Sequence, residues 1–315
     1  MLNSTNIEQD IKQSTNPKQL EQLEQFTQFG KCIEVKPLTP NSPISNSPIL
    51  PFASRRGTFS IATDLRPQVE QHKYAIATAE NFYLSNSGKV ALEQLQKCWN
   101  SLEYDAFYGE KHPSCQRSRC YAEFDYAPKV GTLQLRQHQP YVQSKEMNAY
   151  AGGKDRHFGD LTAETYDNFL FQDLVDYNFS LFPLEEMWLD RPWICQVHIM
   201  RIVVGAGQTT AITPEGIHSD GYPFAGLHLL DRGDVVGGET TIYQLDETPL
   251  AKITFEHPLD SLWLEDRHLK HSVTDIAYSH EKGPKKEPKK LMEAGYRDLL
   301  AISFSLPDSI YSKKI

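Results

Sequence analysis

The feature that most restricts the fold is the stretch after Trp193, which consists of short runs typical of β-strands. The predicted strands span residues 194–204, 225–230, 239–245, 251–255, 261–264, 271–277 and 299–306. Glycine, proline and aspartate separate these runs, as expected for strands joined by turns. Many short strands of this kind predict a mainly β fold, either a sandwich or a barrel.

Within this half, His218 and Asp220 stand two positions apart, and a second histidine follows at His271. Residues two apart in a strand point to the same side, so His218 and Asp220 can converge on one ion. Two imidazoles and one carboxylate form the facial triad that holds non-haem Fe(II) and leaves the opposite face open. Alone, the His-x-Asp pair fits equally well a surface histidine followed by an Asp-Gly turn.

Arg297 begins an apolar strand and shares one face of it with Leu299, Ala301 and Ser303. Ala301 and Ser303 are small enough to leave room for a ligand. A guanidinium at that position can clamp a dicarboxylate through a bidentate hydrogen-bonded pair. A solvated charge at the end of a strand is the alternative interpretation of Arg297.

Composition excludes several functional classes. The net charge of -9 disfavours nucleic acid as a partner, and the sequence has no apolar run long enough to span a membrane. The polar N-terminus lacks the basic start and apolar region of a secretion signal. The five cysteines form no CxxC pair, which indicates reduced thiols. We therefore expect a cytoplasmic protein with a small-molecule partner, and its oligomeric state stays open.

A polar tail is predicted to precede one folded domain. Residues 1–60 form this tail, because repeated proline with Asn and Ser over 37–51 favours a flexible segment. Residues 61–315 form the domain, with helical support over 61–110 and the strand-rich core over 111–315. Apolar spacing predicts helices over 66–83, 90–99 and 162–182.

Several motifs, in this order, resemble the Fe(II)/2-oxoglutarate-dependent dioxygenases that hydroxylate free amino acids, the isoleucine 4-hydroxylase-like group. The C-terminal motifs are His218-Ser-Asp220, 225–230, Gly237-Gly-Glu239, His271-Ser-Val-Thr274 and 297–304. The upstream motifs are Arg-x-Arg-x-Tyr at 117–121, Gln-Ser-Lys-Glu-x-Asn at 143–148, Gly-Gly-Lys-x-Arg-x-Phe at 152–158 and His-x-x-Arg at 198–201. The resemblance covers residues 105 to 308, about two thirds of the chain.

This resemblance implies a double-stranded β-helix, the jelly-roll or cupin-like core, with flanking helices. It makes His218, Asp220 and His271 the iron ligands, and it makes Arg297 the residue that binds the distal carboxylate of 2-oxoglutarate. The implied reaction uses O₂ to convert 2-oxoglutarate to succinate and CO₂ while hydroxylating an unactivated C–H bond. The implied substrate is a free L-amino acid or a cyclic imino acid such as pipecolate.

The family-like motifs also supply candidate substrate-binding residues, namely Gln143, Asn148, Arg156, His198 and Arg201. Each of them can instead anchor a turn or form a buried salt bridge. His198 and Arg201 lie on opposite faces of one strand, so we do not expect both to line one cavity. His268 competes with His271 as the third metal ligand, but the strand after His271 and the family pattern favour His271.

A non-catalytic jelly-roll protein that binds a metal or a small ligand, for instance as a sensor, is the alternative function. The retained triad and Arg297 favour the enzyme, because a pure binder needs no open coordination face beside a co-substrate clamp. The sequence leaves open which carbon is oxidised and whether desaturation or epoxidation replaces hydroxylation. The Lys-rich segment 282–290 is either an exposed loop or a rim near the co-substrate.

Overall fold

The structure is a computed structural model, and it describes residues 52–111, 116–143, 145, 152–279 and 294–307. The strands are β1 (Phe52–Ala53), β2 (Phe59–Ile61), β3 (Tyr74–Ala77), β4 (Phe82–Leu84), β5 (Gln116–Ala127), β6 (Thr132–Leu135), β7 (Gly159–Asp160), β8 (Trp193–Gly205), β9 (Thr209–Thr210), β10 (Phe224–Gly233), β11 (Val235–Gly237), β12 (Glu239–Tyr243), β13 (Pro249–Thr254), β14 (Ser261–Leu264), β15 (Lys270–Val273), β16 (Ile276–Tyr278) and β17 (Ala294–Ser305). The helices are α1 (Arg66–His72), α2 (Asn86–Lys97), α3 (Ala106–Lys111), α4 (Ala163–Tyr166), α5 (Phe169–Ser180) and α6 (Glu186–Leu189).

The main sheet has the strand order β3-β14-β10-β17-β8-β5-β6, and β7 pairs with β5. Its central strands are antiparallel, and Ala301 of β17 lies opposite His198 of β8, which lies opposite Tyr121 of β5. Two small sheets, β13-β12-β15 and β11-β16-β9, form the second layer. This arrangement confirms the predicted mainly β, double-stranded β-helix core with flanking helices.

The two layers meet through apolar side chains that alternate along the strands. Leu229 and Leu262 of the main sheet pack with Ile242 of β12, and all three are fully buried. A second cluster joins Ile202 of β8 to Ile276 of β16. Burying a side chain of this size stabilises the fold by about 1.5–3 kcal/mol, so these contacts hold the layers together around the cavity described below.

Helices cover the other face of the main sheet. Trp99, just after α2, donates through Nε1 to the Met200 carbonyl at 3.0 Å. Tyr177 of α5 packs edge-on against Trp263 of β14, with ring centroids 5.6 Å apart. We call the two sides of the main sheet the cavity face and the helix face.

The helix predicted over 66–83 is wrong beyond His72. Lys73 takes a left-handed conformation with φ 66° and ends α1. Residues 74–77 then pair with β14 as the edge strand β3. The apolar spacing fits a helix, but hydrogen bonding to a sheet edge outweighs this local preference.

Two other predicted elements are divided in the structure. The helix over 162–182 breaks before Asn168, whose side chain caps α5 by accepting from the amides of Leu170 and Phe171 at 2.9 and 3.2 Å. Phe169, the first residue of α5, is exposed. The strand over 271–277 divides into β15 and β16, which belong to different small sheets.

Strands β1 and β2 begin inside the predicted N-terminal tail, since they cover residues up to Ile61. Residues 1–51 of that tail, and the Lys-rich segment 282–290, lie outside the described residues. Cys98, Cys120 and Cys195 are free thiols. Among the described residues, no helix is long and apolar enough to cross a membrane.

Candidate active site

A cavity lies between the cavity face of the main sheet and the small sheets. Polar side chains from β5, β8 and β17 line one side, and the loop before β10 together with β15 lines the other. Its apolar lining consists of Met200, Ile202, Ile212, Leu227, Val273 and Leu299. His218, Asp220 and His271 project into this space.

These three residues form the candidate metal centre. One ligand atom of each lies within 4.8 Å of the other two, and among the described residues they are the one such group that was found. Nε2 of His218 and Nε2 of His271 each lie 4.0 Å from a carboxylate oxygen of Asp220. Of the two histidines that the sequence offers as third ligand, His271 lies in this group. His268 instead approaches Glu265, at 3.1 Å between Nδ1 and Oε2.

Backbone pairing brings the ligands together. The amides of His218 and His271 each donate to the carbonyl of the other, at 3.0 and 2.8 Å. His218 and Asp220 thus lie in a loop bridged to β15 rather than in a regular strand, which corrects the strand-based argument for their spacing. Gly221 ends this segment with φ 86°, a conformation that glycine adopts without strain.

The chemistry of this group suits Fe(II). Nδ1 of His218 lies 2.9 Å from the Gly216 carbonyl, which can only accept, so Nε2 keeps its lone pair for a metal. Burial alone would raise the pKa of Asp220, but His218 and His271 hold it below its ordinary value. Burial pulls the pKa of His271 down, yet the Asp266 and Asp220 carboxylates outweigh it and raise that pKa. Imidazole nitrogen with one carboxylate is the donor set of non-haem iron centres.

Arg297 lies on the cavity face, as predicted, on the same side of β17 as Leu299, Ala301 and Ser303. It is 2% exposed, and among the described residues its Nε has no hydrogen-bond partner. Burial and the nearby Arg232 lower its pKa to about 10. A buried cation in this state favours an anionic guest, because the guest supplies the missing charge and acceptors.

Two arginines and a histidine line the end of the cavity nearer β5, and we call Arg119, Arg156 and His198 the arginine cluster. Arg119 donates through Nε to Nδ1 of His198 at 3.1 Å. His198 therefore carries its proton on Nε2, which is buried without a hydrogen-bond partner among the described residues. Burial, Arg119 and Arg156 hold the pKa of His198 well below its ordinary value, so its ring is neutral.

Aromatic rings support the arginine cluster. The guanidinium of Arg119 lies 4.5 Å from the centroid of Phe158, and that of Arg156 lies 4.5 Å from the centroid of Tyr141. The sequence motifs predicted His198 and Arg156 as substrate candidates but missed Arg119, although it stands two positions before Tyr121 on one strand face. Arg117, in the same motif, is paired with the buried Asp105 at 2.8 Å.

Gln143 connects the arginine cluster to the metal centre. Its Oε1 accepts from Nη2 of Arg156 at 2.6 Å, and its Nε2 lies 3.4 Å from Oδ1 of Asp220. Glu215, which the sequence interpretation also missed, lines the cavity with Oε1 3.8 Å from Nε2 of His218. The Pro-Glu-Gly turn just before the His-x-Asp motif was the available signal.

One predicted substrate residue lies away from the cavity, and the placement of another is outside the described residues. Arg201 points to the helix face, where its guanidinium forms a bidentate pair with Asp298 at 2.7 and 2.6 Å. This corrects its assignment as a substrate-binding candidate, because the alternation of β8 directs it away from His198. Asn148 lies outside the described residues.

Comparison with known proteins agrees with this geometry. The L-isoleucine-4-hydroxylase of Bacillus thuringiensis is 25% identical over 73% of this chain and 89% of its own length. The crystal structure of IDO from Bacillus thuringiensis has a TM-score of 0.60 at 19% identity, over 78% of this chain and 95% of that one. A bsmA homologue from Methylobium petroleophilum has a TM-score of 0.61 at 23% identity, over 82% and 95%.

The sequence model of the 2OG-Fe dioxygenase family matches residues 96–303, a span that contains the metal centre and Arg297. Enzymes of this family use Fe(II), 2-oxoglutarate and O₂. The His-Asp-His group fits the first of these, and the buried, unsatisfied guanidinium fits the second. The chain therefore belongs to the 2OG-Fe dioxygenase family.

Proposed function

We propose that this dioxygenase hydroxylates an unactivated C–H bond of a free L-amino acid, or of a cyclic imino acid such as pipecolate. One observation carries the proposal: the cavity has two separate cationic ends, Arg297 and the arginine cluster. Arg297 and Arg119 lie on β17 and β5, which are separated only by β8 and are offset by two residues at these positions, so their backbones are roughly 12 Å apart. Two ends of this kind suit two carboxylates bound at the same time.

Arg297 receives the distal carboxylate of 2-oxoglutarate in this proposal. The neighbouring lining of Ile202, Val273 and Leu299 is apolar and limits water around the co-substrate chain. The small side chains of Ala301 and Ser303 leave space beside it. When bound at His218, Asp220 and His271, Fe(II) supplies the redox chemistry that couples oxidative decarboxylation of 2-oxoglutarate to hydroxylation.

The arginine cluster receives the carboxylate of the amino acid. Arg119 and Arg156 supply guanidinium donors, and His198 supplies the Nε2–H that has no partner among the described residues. Glu215 faces the ammonium group in this proposal, since its carboxylate lines the same cavity beside His218. A zwitterion held at both charges leaves its side chain free to reach the metal centre.

The relative from Bacillus thuringiensis supports this substrate class, because its name gives isoleucine as the molecule it hydroxylates. The alternative, a sensor that binds a metal or small ligand without turnover, gains nothing from a second cationic end beside the metal centre. The charge pattern therefore favours the hydroxylase.

Succinate formation from 2-oxoglutarate tests the proposal. The purified protein with Fe(II) is assayed against a panel of L-amino acids and cyclic imino acids, and products are analysed by mass spectrometry. We expect one or a few members to stimulate succinate release and to gain one oxygen atom. Asp220→Ala is the matched control and should give neither product. Iron binding without stimulation by any member of the panel would contradict the proposal and favour the sensor.

A further inference from the structure

Asp266 is a fully buried carboxylate in the turn between β14 and β15. Its Oδ2 accepts from the backbone amides of Gly221 and Tyr222, at 2.5 and 3.2 Å. The hydroxyl of Ser219 lies 3.0 Å from the same oxygen and 2.7 Å from the Asp266 carbonyl. Asp266 therefore closes the loop that carries His218 and Asp220.

The other oxygen of Asp266 faces the third ligand. Oδ1 lies 3.6 Å from Nδ1 of His271. Both atoms are buried, and neither has a hydrogen-bond partner among the described residues. An ionised carboxylate can only accept, so the compatible state of His271 has its proton on Nδ1 and its lone pair on Nε2. Nε2 is the atom that faces Asp220.

We propose that Asp266 is a positioning residue of the metal centre: one oxygen holds the His218–Tyr222 loop, and the other selects the metal-binding tautomer of His271. This inference rests on the proposed function in taking His271 as an iron ligand. Carboxylates that orient ligating histidines in this way commonly matter for metal affinity as well as for geometry.

The Asp266→Asn variant separates the two tasks. Its amide oxygen replaces Oδ2 toward the amides of Gly221 and Tyr222, because those groups are donors and require an acceptor. The amide nitrogen must then point to Nδ1 of His271. A donor at that position favours the tautomer of His271 with its proton on Nε2. A protonated Nε2 has no lone pair with which to bind the metal. The variant therefore keeps the hydrogen bonds that hold the His218–Tyr222 loop, but His271 no longer presents a lone pair on Nε2.

Calorimetric titration with Fe(II) under anaerobic conditions, without 2-oxoglutarate, provides the test. We expect Asp266→Asn to bind Fe(II) about 10- to 100-fold more weakly than the wild type, with a closely similar melting temperature. His268→Ala is the matched control, because His268 lies in the same turn as Asp266 but contacts Glu265 instead of the metal centre, and it should retain wild-type affinity. Equal Fe(II) affinity in Asp266→Asn and the wild type would overturn the inference.

Nitrogen NMR of the metal-free wild-type protein gives a second readout, which does not depend on whether the variant folds. Above the pH at which the imidazole titrates, wild-type His271 should carry its proton on Nδ1, and a proton on Nε2 would overturn the inference. These outcomes are separable from failure of the proposed function. If only the proposed function fails, the Fe(II) titrations will still follow the expected pattern while no amino acid stimulates turnover.

Discussion

The cavity face and the helix face of the main sheet both bury polar side chains, but these side chains differ in whether their nitrogen atoms have hydrogen-bond partners. On the helix face, Arg201 is paired with Asp298, and both ring nitrogens of His228 have partners in Ser261 and Asn178. On the cavity face, Arg297 and His198 keep buried nitrogen atoms without partners among the described residues. Burying an unpaired polar group costs about 1–3 kcal/mol.

This difference separates polar groups that stabilise the fold from polar groups that are open to ligands. Adjacent residues on one strand alternate between the two roles, since Arg297 faces the cavity while Asp298 faces Arg201. Substitutions on the cavity face should therefore change binding and turnover. Substitutions on the helix face should change stability instead.

The largest expected effect follows from removing a metal ligand at the cavity. Asp220→Ala leaves two imidazoles without the carboxylate that charge-balances the iron, so turnover should fall at least ~1,000-fold, or about 4 kcal/mol. Amino-acid-dependent succinate release measures it. His268→Ala, three residues before a ligand but outside the metal centre, should remain near wild type. A similar loss in both variants would contradict the assignment.

The two arginines on neighbouring strands give the next contrast. Arg297→Gln should weaken 2-oxoglutarate binding by ~2–5 kcal/mol, since a desolvated charge pair is lost, with an unchanged melting temperature. Arg201→Gln should keep the wild-type KM for 2-oxoglutarate but lose up to about 3 kcal/mol of unfolding free energy, because Asp298 stays buried without its partner. Steady-state kinetics and urea unfolding would show a reversed pattern if the two faces were misassigned.

A smaller effect is expected at the arginine cluster. Arg119→Gln removes one charged donor while Arg156 and His198 remain, so the KM for the amino acid should rise by about 10- to 100-fold, or ~1.5–3 kcal/mol. The KM for 2-oxoglutarate should change little. Initial rates measured with each substrate varied in turn distinguish the two. Arg136→Gln, just after the edge strand β6, is a surface control.

On the helix face, His228 should make the free energy of unfolding depend on pH. Burial lowers the pKa of His228 to about 3, below the ordinary 6.5, so the unfolded chain binds more protons between these values. Stability should therefore rise with pH across that window, by ~2–3 kcal/mol from pH 4.5 to 6.5 for this residue. His228→Gln should show a flatter dependence in urea unfolding. An unchanged slope would mean that His228 does not titrate on unfolding.

Much of the metal centre could be predicted from the sequence, because a His-x-Asp pair and a later histidine carry their chemistry in residue type and spacing. Arg297 could be predicted because strand alternation links it to Ala301 and Ser303. The same alternation excluded Arg201 from the face of His198. What sequence spacing cannot supply is which face of a strand becomes the cavity.

Arg119 and Glu215 illustrate that limit. The position of Arg119 depends on its register with Met200 across two strands far apart in sequence. Glu215 depends on a backbone bridge between His218 and His271. The helix prediction for residues 74–77 fails for a related reason, because these residues pair with β14, which comes almost two hundred residues later in the chain, and this pairing overrides their helical spacing.

In the proposed function, the cavity binds two anions at separate cationic ends. Anaerobic calorimetry on the Fe(II)-loaded protein tests it directly, with 2-oxoglutarate and the most active amino acid titrated into Arg297→Gln and Arg156→Gln. We predict that Arg297→Gln weakens only the binding of 2-oxoglutarate and that Arg156→Gln weakens only the binding of the amino acid. Loss of 2-oxoglutarate binding in Arg156→Gln, with the amino acid unaffected, would contradict the claim.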